Sequence, residues 1–288
     1  MSDPRVVRAL VGQYATRFQA WVEDRVVAAA LARLGTFTSW YDAGAVSALA
    51  AAIGALVRSG QVQSAAGVSA YLDRTLTHMG VSPKPTGTLR IAGPLRAGVT
   101  SYEALYSRPV ETYRYLRSIG YPSDPALSAA IDRLDSMVRT DLALARQHQG
   151  RDSLTGMRGV TGYRRIIHPE LSKSGTCGLC AVAADQVYKT DELMPLHDRC
   201  KCTVLPIVGD DDPGWSLNQQ DLDRIYEAAG KKTSRDPLKG VRVTVEQHGE
   251  LGPVLVDASH RSKDPGRNRR IREARGLPPV RRPDTAAR

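Results

Sequence analysis

Apolar residues recur at helical spacing along the first 150 positions. Val7, Val11, Tyr14, Phe18, Trp21, Val26, Ala30 and Leu34 stand three to five apart, which predicts one helix. Ser2-Asp3-Pro4 supplies a cap and a proline at the first helical position, and Gly35 ends the run. About 30 residues of such helix span roughly 45 Å at 1.5 Å per residue. Asp42 caps a second expected helix, with Val46, Leu49, Ile53, Leu56 and Val57 on one face and a stop at Gly60. A third covers about 62–79, carrying Val68, Tyr71, Leu72 and Leu76. Residues 80–98 are rich in Gly and Pro and read as a loop. Thr100 and Glu103 have capping-box spacing; the helix that follows is broken or kinked at Pro109. Ser123-Asp124-Pro125 caps another long helix, whose stripe Leu127, Ile131, Leu134, Val138, Leu142 and Ala145 is amphipathic. These elements predict a bundle of elongated helices.

The pattern changes near 150. Residues 162–171, GYRRIIHPEL, contain a short β-like run that Pro169 ends. A helix is expected over Ala181 to Val187, and a strand in CKCTVLPI. GDDDPG (209–214) forms an acidic turn, Asn218 caps a short helix, and VRVTVEQHGELGPVLV (241–256) alternates as strand, turn, strand. From His260 to Arg288 there are ten Lys and Arg, three acids and four prolines, a composition that predicts disorder. The chain therefore divides into a helical body (1–150), a Cys/His α+β module (151–215), a short helix with a β-hairpin (216–259) and a basic disordered tail (260–288). The fold class is mainly α: a long-helix bundle followed by a small zinc-like module. No repeat of 20–50 residues is visible, which argues against a solenoid.

Apolar residues at 42% and charged residues at 24% of the 288 are ordinary for a globular chain. The net charge is +10, with 32 Arg and 8 Lys, and the tail alone contributes +7. A basic balance points to a polyanionic partner such as double-stranded DNA, with Arg261, Lys263, Arg267, Arg269, Arg270, Arg272, Arg275, Arg281 and Arg282 as the candidate contacts. GC-rich codon usage accounts equally well for the abundance of Arg. Tyr102, Tyr106, Tyr113 and Tyr115 read as packing aromatics; base stacking beside Arg108, Arg114 and Arg117 is the alternative. The N-terminal MSDPRVV is not a secretory signal. No window holds 18 uninterrupted apolar residues, so no membrane span is expected. A reducing cytoplasm, where clustered cysteines serve as metal ligands more often than as disulfides, is the expected compartment.

All four cysteines fall between 177 and 202, as C-x2-C, sixteen residues, then H-x2-C-x-C. Cys177 and Cys180 flank a tight Gly-Leu turn that aims both sulfurs at one point. Cys200 and Cys202 share a face if their segment is a strand, and His197 follows a proline in a loop. Tetrahedral zinc takes four thiolate or imidazole ligands. Five candidates are present, so a set of four cysteines and a set of three cysteines with His197 both remain open. Packed thiols and redox chemistry are the competing readings. A Cys200–His197 nucleophile pair is weak, because catalytic pairs come from distant parts of a fold. The H-x-E of a zinc deaminase is missing after His197, and no H-E-x-x-H, G-x-S-x-G or phosphate loop appears. His78, His148, His168, His248 and His260 are isolated and read as surface or locally bonded residues.

The segment YRRIIHPELSKSGTCGLCAVAADQVYKTDELMPLHDRCKCTVLPI (163–207) resembles the signature region of MuF-like minor capsid proteins, the head morphogenesis family of tailed bacteriophages. The likeness is concentrated in TCGLC, VYKTDELMPLH and HDRCKCTVLPI. His197, Cys200 and Cys202 match the family's His-Cys-Cys motif, and Cys177 and Cys180 the C-x2-C of some members. The resemblance implies a structural virion protein, not an enzyme, associated with the portal protein, the inner capsid and its major capsid or scaffold protein, with packaged DNA as a further partner. It implies the virion as location, after assembly in the host cytoplasm. Some members carry a maturation protease label; no protease domain or catalytic arrangement is legible here. A capsid maturation protease or other Cys- or zinc-dependent enzyme, and a DNA-binding module acting through the basic tail, are the alternatives.

Overall fold

The structure, a computed structural model, describes residues 2–84, 87, 89–96, 98–171, 178–192, 200–228, 243–248 and 252–257. The chain opens as one helical rod of three pieces: α1 (Pro4–Gly12), a π-helical segment (Gln13–Gln19) and α2 (Ala20–Gly35). Asp3 caps it, its carboxylate accepting from the Arg5 amide at 2.8 Å. The π segment is not legible in the apolar spacing. Its wider turn shifts the helical register, so Val22, Val26, Ala30 and Leu34 face inward while Trp21 is 50% exposed under the Arg25 guanidinium.

The two helices expected over 42–79 are one, α3 (Ala43–His78), capped by Asp42 as anticipated. Gly60 does not stop it. A Cβ at Gly60 would lie 2.6 Å from Val26 and 3.0 Å from Leu142, so this glycine lets side chains of α2 and of α6 (Ser123–Leu154) rest on the α3 backbone. By length and composition α3 is apolar enough to cross a membrane, with mean hydropathy 1.4 over an 18-residue window. Here its inner face packs on the whole rod, on α4 (Tyr102–Tyr106) and on α6.

Ser101, not Thr100, caps α4, accepting from the Ala104 amide at 3.1 Å. Glu103 instead accepts from Ser47 Oγ on α3 at 2.6 Å. The helix breaks at Ser107, and Pro109 stands in the first turn of α5 (Arg108–Ser118), as its missing amide allows. Ser123, Asp124 and Pro125 form the first turn of α6 after Pro122 rather than its cap. Leu134, Val138, Leu142 and Ala145 of its stripe are buried, with Leu127 and Ile131 packed at the edge. Tyr102, Tyr106 and Tyr113 go to packing and Tyr115 is exposed. The loop before α4 is pinned by a buried ion pair, Arg96 Nε to Asp141 Oδ1 at 2.5 Å, with the Tyr106 hydroxyl donating to the other carboxylate oxygen.

After α6 come β1 (Val160–Ile166), a 3-10 turn (Pro169–Leu171), α7 (Gly178–Ala184), β2 (Val187–Tyr188), a second 3-10 turn (Thr190–Glu192), β3 (Thr203–Val208) and α8 (Pro213–Ala228). The sheet is antiparallel in the order β2-β1-β3, with Tyr163 opposite Tyr188 and Arg164 opposite Leu205. It shares a core with the helices: Val7, Val11, Tyr14, Val68, Leu72 and Leu76 meet Leu154, Met157, Tyr163, Val204 and Leu217. Tyr71 on α3 donates to the Val204 carbonyl at 3.0 Å, which fixes the sheet against that helix. The expected hairpin is present as β4 (Val243–His248) and β5 (Gly252–Asp257), paired antiparallel from Val243↔Asp257 to His248↔Gly252. The tail over 260–288, with its nine candidate DNA contacts, lies outside the described residues.

Candidate metal centre

Cys180 sits on the first turns of α7, among Ile167, Ala181, Ala183, Ala184 and Leu222. Cys200 and Cys202 precede β3 and belong to no strand, so a shared strand face is not what aligns them. An irregular turn brings them together instead. The sulfurs of Cys180, Cys200 and Cys202 all lie within 4.8 Å of one another, and none of the three is in a disulfide. Zinc–sulfur bonds near 2.3 Å in a tetrahedron require sulfurs about 3.8 Å apart, so small side-chain adjustments would bring these three onto one ion. Cys177 and His197, the other two candidates, lie outside the described residues.

A buried cation, Arg165, faces the sulfurs. Arg165 of β1 is 1% exposed, its guanidinium 5.9 Å from the Tyr163 ring and 5.7 Å from that of Tyr188. These two rings stack at 5.2 Å. Burial pulls the Arg165 pKa down, but Tyr163, Cys200, Cys202 and Tyr188 together raise it above its ordinary value. The same geometry acts on Cys202. A hydrogen bond with Cys180 lowers its thiol pKa. The hydrogen bond with Cys200, burial and the charge of Cys200 outweigh that and hold it well above the ordinary value, with Arg165 opposing them. Three clustered sulfurs do not all ionise without a cation among them. A divalent ion would supply that cation.

The turn between the two cysteines is fastened to the helical rod. Gln19 Nε2 donates to the Lys201 carbonyl at 3.0 Å, and the Lys201 ammonium meets Glu23 Oε1. Glu23, 1% exposed, also receives Arg139 Nη1 at 2.7 Å and Arg146 Nη2 at 3.5 Å, both from α6. Burial alone would raise the Glu23 pKa; the charges of Arg146 and Lys201, with hydrogen bonds from Lys201 and Arg139, bring it below its ordinary value. On the other side, Asn218 donates to the Arg165 and Ala184 carbonyls at 2.7 and 2.9 Å and accepts from the Ile167 amide at 3.3 Å. Asn218 thus ties α7 to β1 from within α8, not as the helix cap the sequence suggested.

His168 is locally bonded, as its isolation suggested. Its Nδ1 lies 2.8 Å from Glu170 and its Nε2 3.0 Å from Thr203 Oγ1, and the hydrogen bond from His168 holds the Glu170 carboxyl below its usual range. Sequence reasoning does not single out the roles of Glu23, Arg165, Lys201 and Asn218. Two of them leave a faint trace there: a glutamate inside the apolar stripe of α2 and an arginine pair inside a β-like run. No protein-family model, curated protein or solved structure matches the chain.

Proposed function

We propose that the chain is a non-enzymatic minor capsid protein of the head morphogenesis type in a tailed phage, seated at the portal and the inner capsid face. The observation that carries the reading is the convergence of Cys180, Cys200 and Cys202 inside the segment 163–207 that resembles the MuF-like signature. Zinc is the proposed ion, with Cys177 or His197 completing four ligands. It would hold α7 and the 200–202 turn as one knot, a structural role for which zinc needs no open coordination position. The long helices suit docking along another helical assembly, and the clamp through Lys201 and Glu23 would transmit the knot's rigidity to them.

Two measurements test this reading. Elemental analysis of the full chain in reducing buffer should give one zinc per chain; a value well below one, with no structural change on chelation, defeats the metal part. Co-expression with the portal protein of the same genome should give a complex that co-elutes, and separate elution of the two defeats the assembly part. The +7 tail favours a second, compatible role in holding duplex DNA. About ten phosphate contacts would give a slope near −9 against log salt, and deletion of 260–288 should abolish it.

A further inference from the structure

A groove of about 360 Å³ runs between the start of the rod and the end of α3, lined by Gln13, Tyr14, Arg17, Phe18, Tyr71 and Arg74, with Ala70 beside them. It is remote in role from the cysteine cluster and is not used by the reading above. Its volume falls within the range of small-ligand sites. Its floor is a run of near-parallel rings. Tyr71 and Tyr14 stack at 4.5 Å and 12°, and Tyr14 and Phe18 lie 6.2 Å apart at 19°.

Two sequence features build this floor. The π segment carries Gln13, Tyr14, Arg17 and Phe18, and all four line the groove beside α3. Gly67 then lets the Phe18 ring lie directly on the α3 backbone, where a Cβ would come 1.8 Å from Phe18 Cε1. The pairing of Tyr14 with Tyr71 and Phe18 with Gly67 makes the two helices antiparallel. Arg17 and Arg74 therefore stand towards opposite ends of the groove, about 10 Å apart along the helix axis at 1.5 Å per residue. Both are exposed, and neither has a hydrogen-bond or ion-pair partner among the described residues.

We infer that this groove is a binding site for a flat apolar anion: an aromatic ring system carrying a carboxylate, sulfonate or phosphate. The stacked rings select a planar apolar body, which extends an existing aromatic stack. The two arginines select negative charge at either end and present planar guanidinium groups suited to oxyanions. Gln13 adds a neutral polar contact at the rim.

The test uses the full chain and fluorescence titration with anilinonaphthalene sulfonate, with neutral N-phenylnaphthylamine as control. The sulfonate should bind saturably at one site. Arg17→Gln with Arg74→Gln should weaken it about tenfold, the loss of charge-assisted contacts, and change the neutral dye less than about twofold. Ala70→Trp should exclude both dyes. All three positions are exposed, so the variants should keep the parent's circular dichroism and melting temperature. Adenosine monophosphate as competitor separates the sources of such chemistry: displacement assigns a nucleotide, and its failure assigns a non-nucleotide aromatic acid. Unchanged sulfonate affinity in the double arginine variant, or unchanged binding of both dyes in Ala70→Trp, overturns the inference.

Discussion

The ammonium of Lys201, between two cysteines, contacts the carboxylate of Glu23, 178 residues earlier in the chain. Glu23 is buried and Lys201 is 22% exposed, so the pair ties a surface turn to the interior of the bundle. Arg139 and Arg146 complete the cluster from α6. Folding lowers the Glu23 pKa. Its contribution is therefore full above the unfolded carboxyl value of about 4.3 and is lost as pH falls through the lower folded value. Glu23→Gln should cost about 3 kcal/mol at neutral pH, because it strands partly buried cations. Urea unfolding at pH 7 and pH 3 checks this: the difference between parent and variant should be larger at the first than at the second.

Lys201→Met should cost less, since Glu23 keeps Arg139 and Arg146 when the ammonium is gone. The expected loss is about 1 kcal/mol, the scale of a partly exposed pair. A loss as large as that of Glu23→Gln would show that the turn, and not the arginines, holds the carboxylate in place.

The knot and the bundle have different cores. Cys180 and Cys200 pack with Ile167 and Leu222, whereas Ile53, Val57, Leu134 and Leu142 belong to the helices. Chelation should therefore raise amide hydrogen exchange in α7 and at 200–208 while leaving the centres of α3 and α6 protected. Uniform loss of protection would mean that the metal holds the whole chain together.

What the sequence reveals and what it conceals divide along physical lines. The long apolar stripes of the rod and of α6 are legible because one face of each helix must be buried, and the alternation over 241–256 is legible because strand residues repeat with period two. The interruption at Pro109 is legible because proline lacks an amide. Gly60 misleads because a glycine inside a helix has two meanings, a stop or a close contact, and only Val26 and Leu142 decide between them. Asn218 looks like a cap because its side chain suits one; its partners, the carbonyls of Arg165 and Ala184, are brought there by tertiary packing. The cysteine spacing announces a cluster, but the strand invoked to align Cys200 with Cys202 begins only at Thr203.

Two glycines in neighbouring helices should respond to alanine with opposite signs. Gly12 has helical angles, φ −62° and ψ −43°, and a Cβ there meets nothing within 4 Å. Gly12→Ala should stabilise by roughly 0.5–1 kcal/mol through reduced unfolded-state freedom. Gly60→Ala gains the same helical preference but drives a methyl into Val26 and Leu142, an overpacking cost of about 1–3 kcal/mol. The net effect should be a loss, and thermal melts of both variants compare the two directly.

The buried Arg96–Asp141–Tyr106 cluster gives a graded series. Tyr106 is 1% exposed and its hydroxyl donates to Asp141. Burial, with the adjacent Asp141 charge, raises its pKa well above the ordinary phenol value, so it stays a donor across the neutral pH range. Tyr106→Phe removes one donor and leaves Asp141 paired with Arg96, for a loss of about 1–2 kcal/mol. Arg96→Met removes the counter-charge that lies 2.5 Å from Asp141 Oδ1 and should cost about 3–5 kcal/mol. It also removes the bond from Arg96 Nη2 to the Met137 carbonyl at 3.0 Å, which anchors the loop before α4. Limited proteolysis should therefore cut residues 89–96 much faster in Arg96→Met than in Tyr106→Phe. Equal cutting rates in the two variants would show that the loop is held by its apolar contacts, such as buried Ile91, and not by the ion pair.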